Sequence, residues 1–184
     1  MLSIHLPKDW YNNEHVPLRL NHLKYFLSGA RYSSSDLKVW AALYEIDDIS
    51  SFSHPSYTGL RETRSSRESD LIKRLEVLDR RACEVVSDTG DPLATGKTDD
   101  YTGLKVGKPT GWIVTHGIDT ENQDDAVSSF ESCVNKVKRD EGWVRSRMVR
   151  CVDSSKVGVG VPSGPEGQIV PRYLVLHGKM FICR

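Results

Sequence analysis

Residues 8–20 read KDWYNNEHVPLRL, and the side chains brought together there can do chemistry. His15 titrates near neutrality, so an imidazole at that position can move a proton at physiological pH. In an apolar cleft it could take a proton from a carbon next to a carbonyl or deliver one to a leaving hydroxyl. Glu14 could orient it or hold substrate, although neighbours on a helix do not share a face. Tyr11 and His15, at i and i+4, do share one. The candidate catalytic set is therefore His15 with Glu14 and Tyr11 as orienting groups, and Trp10 stands beside them as a substrate contact. The same spacing also fits a packed core pair, Tyr11 against His15, hydrogen-bonded to backbone.

The elements that must position this set follow from periodicity. A helix starts near Lys8, with Trp10, His15, Leu18 and Leu20 marking an inward face and Pro17 kinking or ending it. FLSGARYS (26–33) and KVWAALYEI (38–46) alternate as strands around the turn-forming SSSD. Residues 47–53 form a loop or short helix, residues 56–75 a helix, and RACEVVSD (81–88) a closing strand. The charged TRSSRESDLIKR stretch within that helix reads as a solvated face. Residues 89–110 are rich in Gly, Pro, Thr and Asp and read as a linker. The pattern then restarts: GWIVTHGI (111–118) as a strand, QDDAVSSFESCVNKVKRD (123–140) as an amphipathic helix, and GWVRSRMVRCVD (142–153) and PRYLVLHGKM (171–180) as strands. The predicted organisation is an N-terminal half over 1–88, a linker over 89–110 and a C-terminal half over 111–184.

The two halves align with each other. Residues 26–29 match residues 143–146 at an offset of 117, and residues 39–45 match residues 172–178 at an offset of 133, the difference being a Gly/Pro-rich hairpin insertion over 154–169. This alignment sets Tyr44 against His177, a polar ring at one strand position in both halves, and makes both candidate pocket-wall or substrate contacts. His15 meets Ser132 and has no counterpart, whereas Glu14 meets Glu131, so any chemistry is expected in the N-terminal half. A repeated β-α-β-β-α-β unit predicts an α+β fold of two ferredoxin-like halves packed sheet against sheet around a cleft.

With those motifs set out, the chain resembles fungal EthD-like proteins of the dimeric α/β-barrel superfamily. The likeness rests on DWYNNEHVPLRL, FLSGARY, WAALYEI and LDRR-CEVVSD in the first half and on GWVRSRMVRCVDS and PRYLVLHG in the second, from about Asp9 to Gly178. It implies an intramolecular barrel enclosing a small-molecule pocket. It also implies cofactor-free acid/base chemistry (dehydration, cyclisation or decarboxylation) on a polyketide-like or aromatic compound, or a binding or assembly protein that has lost the reaction. Against the family pattern the first strand is a stub over Leu2, Ile4 and Leu6, and the last helix and strand are absent. That predicts open sheet edges and a second copy of the chain to cover them.

Composition narrows the classes. The 25 basic and 25 acidic residues cancel, which leaves no electrostatic footprint for nucleic acid or an acidic membrane surface. No apolar run approaches a membrane span, and no signal peptide or glycosylation sequon is present, so a cytoplasmic protein is expected. The cysteines at 83, 133, 151 and 183 are isolated and read as reduced thiols; no metal-ligand spacing appears. TGDPLATGKT fails as a phosphate loop, because Asp91 stands where the first glycine must be. GVGVPSGPEG lacks the strand–turn–helix setting of a dinucleotide fingerprint. His116 lies on a strand, and His22 and His54 fall in connections.

Overall fold

The computed structural model describes residues 10–34, 40–90, 104–105 and 108–179. The chain is a mixed α+β protein that divides into two compact units, one of residues 1–80 and 155–168, the other of residues 81–154 and 169–184. Among the described residues the strands form separate sheets of two, four and two strands, and no closed barrel. No described helix is long and apolar enough to cross a membrane.

In the first unit the chain is helical from Trp10, but the first turn is widened. Tyr11–His15 is a π turn in which the Val16 N–H reaches back to the Tyr11 carbonyl. A short helix, α1 (Val16–Leu20), follows with Pro17 in its first turn. A proline cannot bond to the turn before it, and that turn is the one that is widened. Pro17 therefore does not end the helix, which runs on to Leu20. Trp10 and Tyr11 are buried, whereas Leu18 is only half-buried. β1 (Phe26–Ser33) and β2 (Trp40–Ile46) pair antiparallel as a hairpin. After a 3-10 turn come α2 (Pro55–Glu62) and α3 (Ser66–Arg74).

The sequence predicts one helix over 56–75, and the structure breaks it. Thr63 closes α2, with both its N–H and its hydroxyl on the Gly59 carbonyl at 3.0 Å. Ser65 then caps α3 by accepting the Glu68 N–H at 3.0 Å. The loop after residue 157 docks on the end of α3, Val159 N–H bonding the Leu75 carbonyl at 3.0 Å and Gly160 N–H the Glu76 carbonyl at 2.8 Å. Gly158 makes this approach at φ +139°, where an added Cβ would lie 2.4 Å from the Glu76 carbonyl oxygen, so only glycine fits.

The second unit is built on β3 (Leu78–Asp88), β6 (Trp112–Ile118), the helix α4 (Gln123–Val137), β7 (Trp143–Val157) and β8 (Tyr173–Lys179). A two-residue ribbon, β4 (Leu104–Lys105) with β5 (Lys108–Pro109), falls inside the expected linker, most of which lies outside the described residues. The sheet order is β3-β7-β8-β6. β6 and β7 are each antiparallel to β8, hence parallel to one another with β8 between them, the split arrangement of a β-α-β-β unit. Asn122 caps α4 through the Asp124 N–H at 2.8 Å. The helix lays Ala126 and Phe130 on Met148, Tyr173 and Val175, all of them almost fully buried, and Val127 and Val134 complete that face. Burial of such side chains contributes about 1.5–3 kcal/mol each. Cys83, Cys133 and Cys151 are half-buried; Cys183 and the Leu2–Leu6 stub lie outside the described residues.

The β1–β2 and β7–β8 hairpins share one register. Phe26 faces Ile46 and Trp143 faces Lys179; Ser28 faces Glu45 and Arg145 faces Gly178; Gly29 faces Tyr44 and Ser146 faces His177. Both ladders slip at the same place, between Phe26 and Ser28 and between Trp143 and Arg145. Every one of these correspondences falls on the offsets 117 and 133 read from the sequence.

Candidate functional site

The site in the first unit starts from the hairpin's pairing. Gly29, Arg31, Trp40, Ala42 and Tyr44 share a face, because directly opposed and next-but-one residues of an antiparallel pair do. Gly29 opposite Tyr44 leaves room for the ring, and Ala42 opposite Arg31 leaves room for the guanidinium. Arg31 lies between two rings, 4.3 Å from the centroid of Tyr11 and 3.9 Å from that of Trp40, a cation–π sandwich. Its Nη2 is buried and makes no hydrogen bond. The hydroxyls of Tyr11 and Tyr44 bond each other at 2.8 Å. Tyr11, Asn12, Val16, Gly29, Ala30, Arg31 and Tyr44 together line a recess of about 180 Å³.

The phenols are protonated at neutral pH. Burial pushes the Tyr11 hydroxyl up against the opposing pull of its bond to Tyr44 and of Arg31 and Arg19. Burial and the neighbouring Tyr11 push Tyr44 up further. Within a hydrogen-bonded pair of hydroxyls one proton is shared and the other is free to be donated. The pair is a hydrogen-bond donor facing the recess.

His15 lies outside that lining. Its ring stacks on Tyr11 at 5.0 Å and sits 5.0 Å from Trp10. Its Nδ1 is 3.1 Å from Glu68 Oε1. A carboxylate only accepts, so the ionised Glu68 fixes the Nδ1–H tautomer and leaves Nε2 as the acceptor. Burial, with Arg19, Arg64 and Arg31 nearby, holds the imidazole down to a pKa of about 3. Burial raises the Glu68 carboxyl, and Arg19 and Arg64 oppose that rise. Glu14 is half-buried and accepts a hydrogen bond from the Ser65 hydroxyl. Trp10 is buried, and its Nε1 has no partner.

Five of the residues singled out in the sequence thus come together in the first unit: Trp10, Tyr11, Glu14, His15 and Tyr44. His177 does not join them. It is in the second unit, buried, with Nδ1 2.6 Å from Ser146 Oγ and its ring stacked 5.4 Å from His116. Ser146 Oγ also accepts the Trp143 Nε1–H at 3.0 Å, and the tautomer of His177 sets which of the two donates in the serine–imidazole bond. A serine paired this way could serve as a nucleophile, but Ser146 is 0% exposed. The arrangement is a buried polar clamp between β7 and β8. Among the described residues no three His, Cys, Asp or Glu side chains converge as a metal-ligating group.

The sequence reading missed Arg31, Trp40 and Glu68. Glu68 belongs to the stretch read as a solvated face and is instead buried. The signal for it was Ser65-Ser66-Arg67-Glu68, a capping-box spacing, although here the glutamate turns to His15 while its N–H takes the cap. Arg31 was legible only as a lone charge inside an otherwise uncharged strand.

No protein-family model, curated protein or solved structure matches the chain.

Gly29 offers a direct test of the recess. A Cβ there would lie 3.0 Å from two ring carbons of Tyr44 and 3.4 Å from Leu20 Cδ1. Gly29→Val displaces the Tyr44 phenol, breaks its bond to Tyr11 and costs about 1–3 kcal/mol of stability. Thermal unfolding together with tyrosine absorbance checks this; unchanged stability with unchanged tyrosine spectra refutes it.

Proposed function

We propose that this chain is an EthD-like protein of two ferredoxin-like halves, and that its first unit binds a small cyclic molecule in the recess beside Tyr11 and Tyr44. The shared register and shared bulge of the two hairpins support the duplicated architecture, as does the split β-α-β-β order of the second unit. The observation that carries the pocket reading is the hydroxyl pair lining the same recess as the sandwiched guanidinium. Volume limits the ligand. Drug-sized ligands occupy roughly 300–1,000 Å³, while a void of about 150 Å³ takes a benzene ring. At about 180 Å³ the recess suits one ring with a substituent and excludes a fused polyketide.

Binding without turnover is the reading that the electrostatics favour. A general base works best with a pKa near the working pH, and His15 at about 3 is far from it. The second reading is enolisation with solvent as the base. Water or hydroxide takes the proton from the carbon beside a bound carbonyl, while the free proton of the phenol pair donates to the oxygen and stabilises the enolate as it forms, in the manner of an oxyanion hole. One experiment separates the two. Ligand-observed NMR with phenol and cyclohexanone detects binding, and deuterium exchange at the carbons beside the cyclohexanone carbonyl detects turnover. We expect binding that weakens about fivefold in Tyr44→Phe, with exchange no faster than in buffer. Failure of every single-ring compound to bind overturns the pocket reading, and exchange accelerated by the protein and abolished in Tyr44→Phe establishes the catalytic one.

A further inference from the structure

We propose that the recess is selective for an anion, a single-ring carboxylate whose oxygens meet the Arg31 guanidinium while a hydroxyl of the Tyr11–Tyr44 pair donates to the same group. This inference rests on the pocket reading above and names its ligand class.

Four observations converge on it. Arg31 cannot lose its proton in a protein, so its charge is permanent. The charge is held over the rings of Tyr11 and Trp40, 4.3 and 3.9 Å from their centroids, which restrains the guanidinium in place. Arg31 Nη2 is buried and makes no hydrogen bond. A buried donor left unmade costs free energy that an acceptor would recover, and a charged acceptor recovers more than a neutral one. The surroundings carry the same sign. Arg19 and Arg31 both act on the Tyr11 and Tyr44 hydroxyls as positive charges. The nearby carboxylates have other partners: Glu68 is on His15 and Glu14 on Ser65.

The shape of the recess supplies the other half of the specificity. Val16 gives it an apolar wall beside the Gly29–Ala30 backbone, and Tyr44 lines it as well. A flat ring sits against that wall with its polar group toward Arg31. The planar fork of a guanidinium matches a carboxylate in two parallel hydrogen bonds, which a neutral amide of the same shape cannot make, since its NH₂ would face the guanidinium donors. A benzoate-like compound therefore offers the Arg31 guanidinium a charged, two-oxygen acceptor, and benzamide does not.

The test compares benzoate with benzamide by isothermal titration calorimetry on the unaltered chain and on Arg31→Met and Arg31→Lys. Arg31→Met keeps a long side chain between the rings and removes the charge; Arg31→Lys keeps the charge and removes the fork. We expect benzoate to bind at least about tenfold more tightly than benzamide. That preference disappears in Arg31→Met and shrinks in Arg31→Lys. Equal affinity for the two compounds overturns the inference while leaving the pocket reading in force. So does benzoate binding that Arg31→Met does not weaken. Binding of neither compound overturns the pocket reading and this inference with it. If Arg31→Met does not fold, as judged by circular dichroism, the benzoate-to-benzamide ratio on the unaltered chain decides the question, with the smaller ratio in Arg31→Lys as the second measurement.

Discussion

An Asp88→Ala chain unfolds with a free energy about 3 kcal/mol or more below that of the unaltered protein. Asp88 ends β3 and takes two guanidinium groups from the facing strand. Arg147 Nε donates to its Oδ2 at 2.7 Å, and Arg145 donates through both Nε and Nη2 to its two oxygens. The Gly90 N–H adds a fourth bond at 3.0 Å. The side chains of Arg145, Arg147 and Asp88 are 6%, 15% and 13% exposed, so water screens little of this. Burial alone would raise the Asp88 carboxyl; the bonds from Arg145, Gly90 and Arg147 outweigh it and hold the group below its usual range. The sign of the pH dependence follows. A depressed carboxyl stabilises the fold above its unfolded pKa of about 3.9 and loses that contribution as the pH falls through the folded value. Urea unfolding at pH 7 measures the loss. Asp88→Asn, which keeps the shape and one acceptor, falls between the two. A loss below about 1 kcal/mol in Asp88→Ala would mean that the cluster is only a surface ion pair.

That cluster was not legible in the sequence, although its strands were. β1 and β6 lie within a residue of the bounds that alternation predicts, and β7 starts one residue late and runs on to Val157. Alternation works because a half-buried strand must present one apolar face. It does not say which charge meets which across strands. Asp88 and Arg145 are 57 residues apart, and their pairing depends on β3 lying beside β7. The helix over 56–75 failed for a local reason. Leu60, Leu71 and Ile72 kept a helical period through a break that only the Thr63 and Ser65 hydroxyls create.

The site divides in the same way. Tyr11 and His15 were found because i,i+4 stacking is a property of one helix. Tyr44 was found because the repeat set it against His177, and the register gives both the same partner position, Gly29 and Ser146. Their chemistry then diverges at that one partner. A glycine leaves the Tyr44 ring beside an open recess, and a serine hydrogen-bonds and closes over His177. Arg31 was missed because its role comes from Trp40 on the next strand and from a ring on the preceding helix. Neither is within reach of a sequence window. The role expected of His15 depends on burial, and periodicity alone did not reveal that Glu68 and three arginines surround it.

Acidification from pH 6.5 to 4 removes about 3 kcal/mol of stability through His15 alone, at about 1.4 kcal/mol per pH unit. In the unfolded chain the imidazole protonates near pH 6.5. In the folded protein burial and the charges of Arg19, Arg64 and Arg31 hold it down to about 3. Between those values the unfolded chain binds a proton that the folded chain refuses, so the full contribution is present above pH 6.5 and is lost on descent toward 3. The imidazole is 19% exposed, which leaves most of the effect unscreened. Glu68 works in the opposite direction. Its carboxyl is raised by burial, so it favours the fold below its unfolded pKa and loses that contribution as pH rises through the folded value. The two must therefore be separated by substitution. In His15→Gln the amide can still bond Glu68 but takes up no proton. Chemical unfolding at pH 7, 5.5 and 4 is expected to give a shallower loss for His15→Gln than for the unaltered protein, by about 2–3 kcal/mol over that range. Trp10, 5.0 Å from the ring, reports the same event: its fluorescence stays constant from pH 8 to 5 because the neighbouring imidazole does not titrate there. Identical slopes in the two chains, or a Trp10 fluorescence transition centred near pH 6.5, would show that His15 takes up its proton at the ordinary value. In that case the imidazole is available for proton transfer at neutral pH.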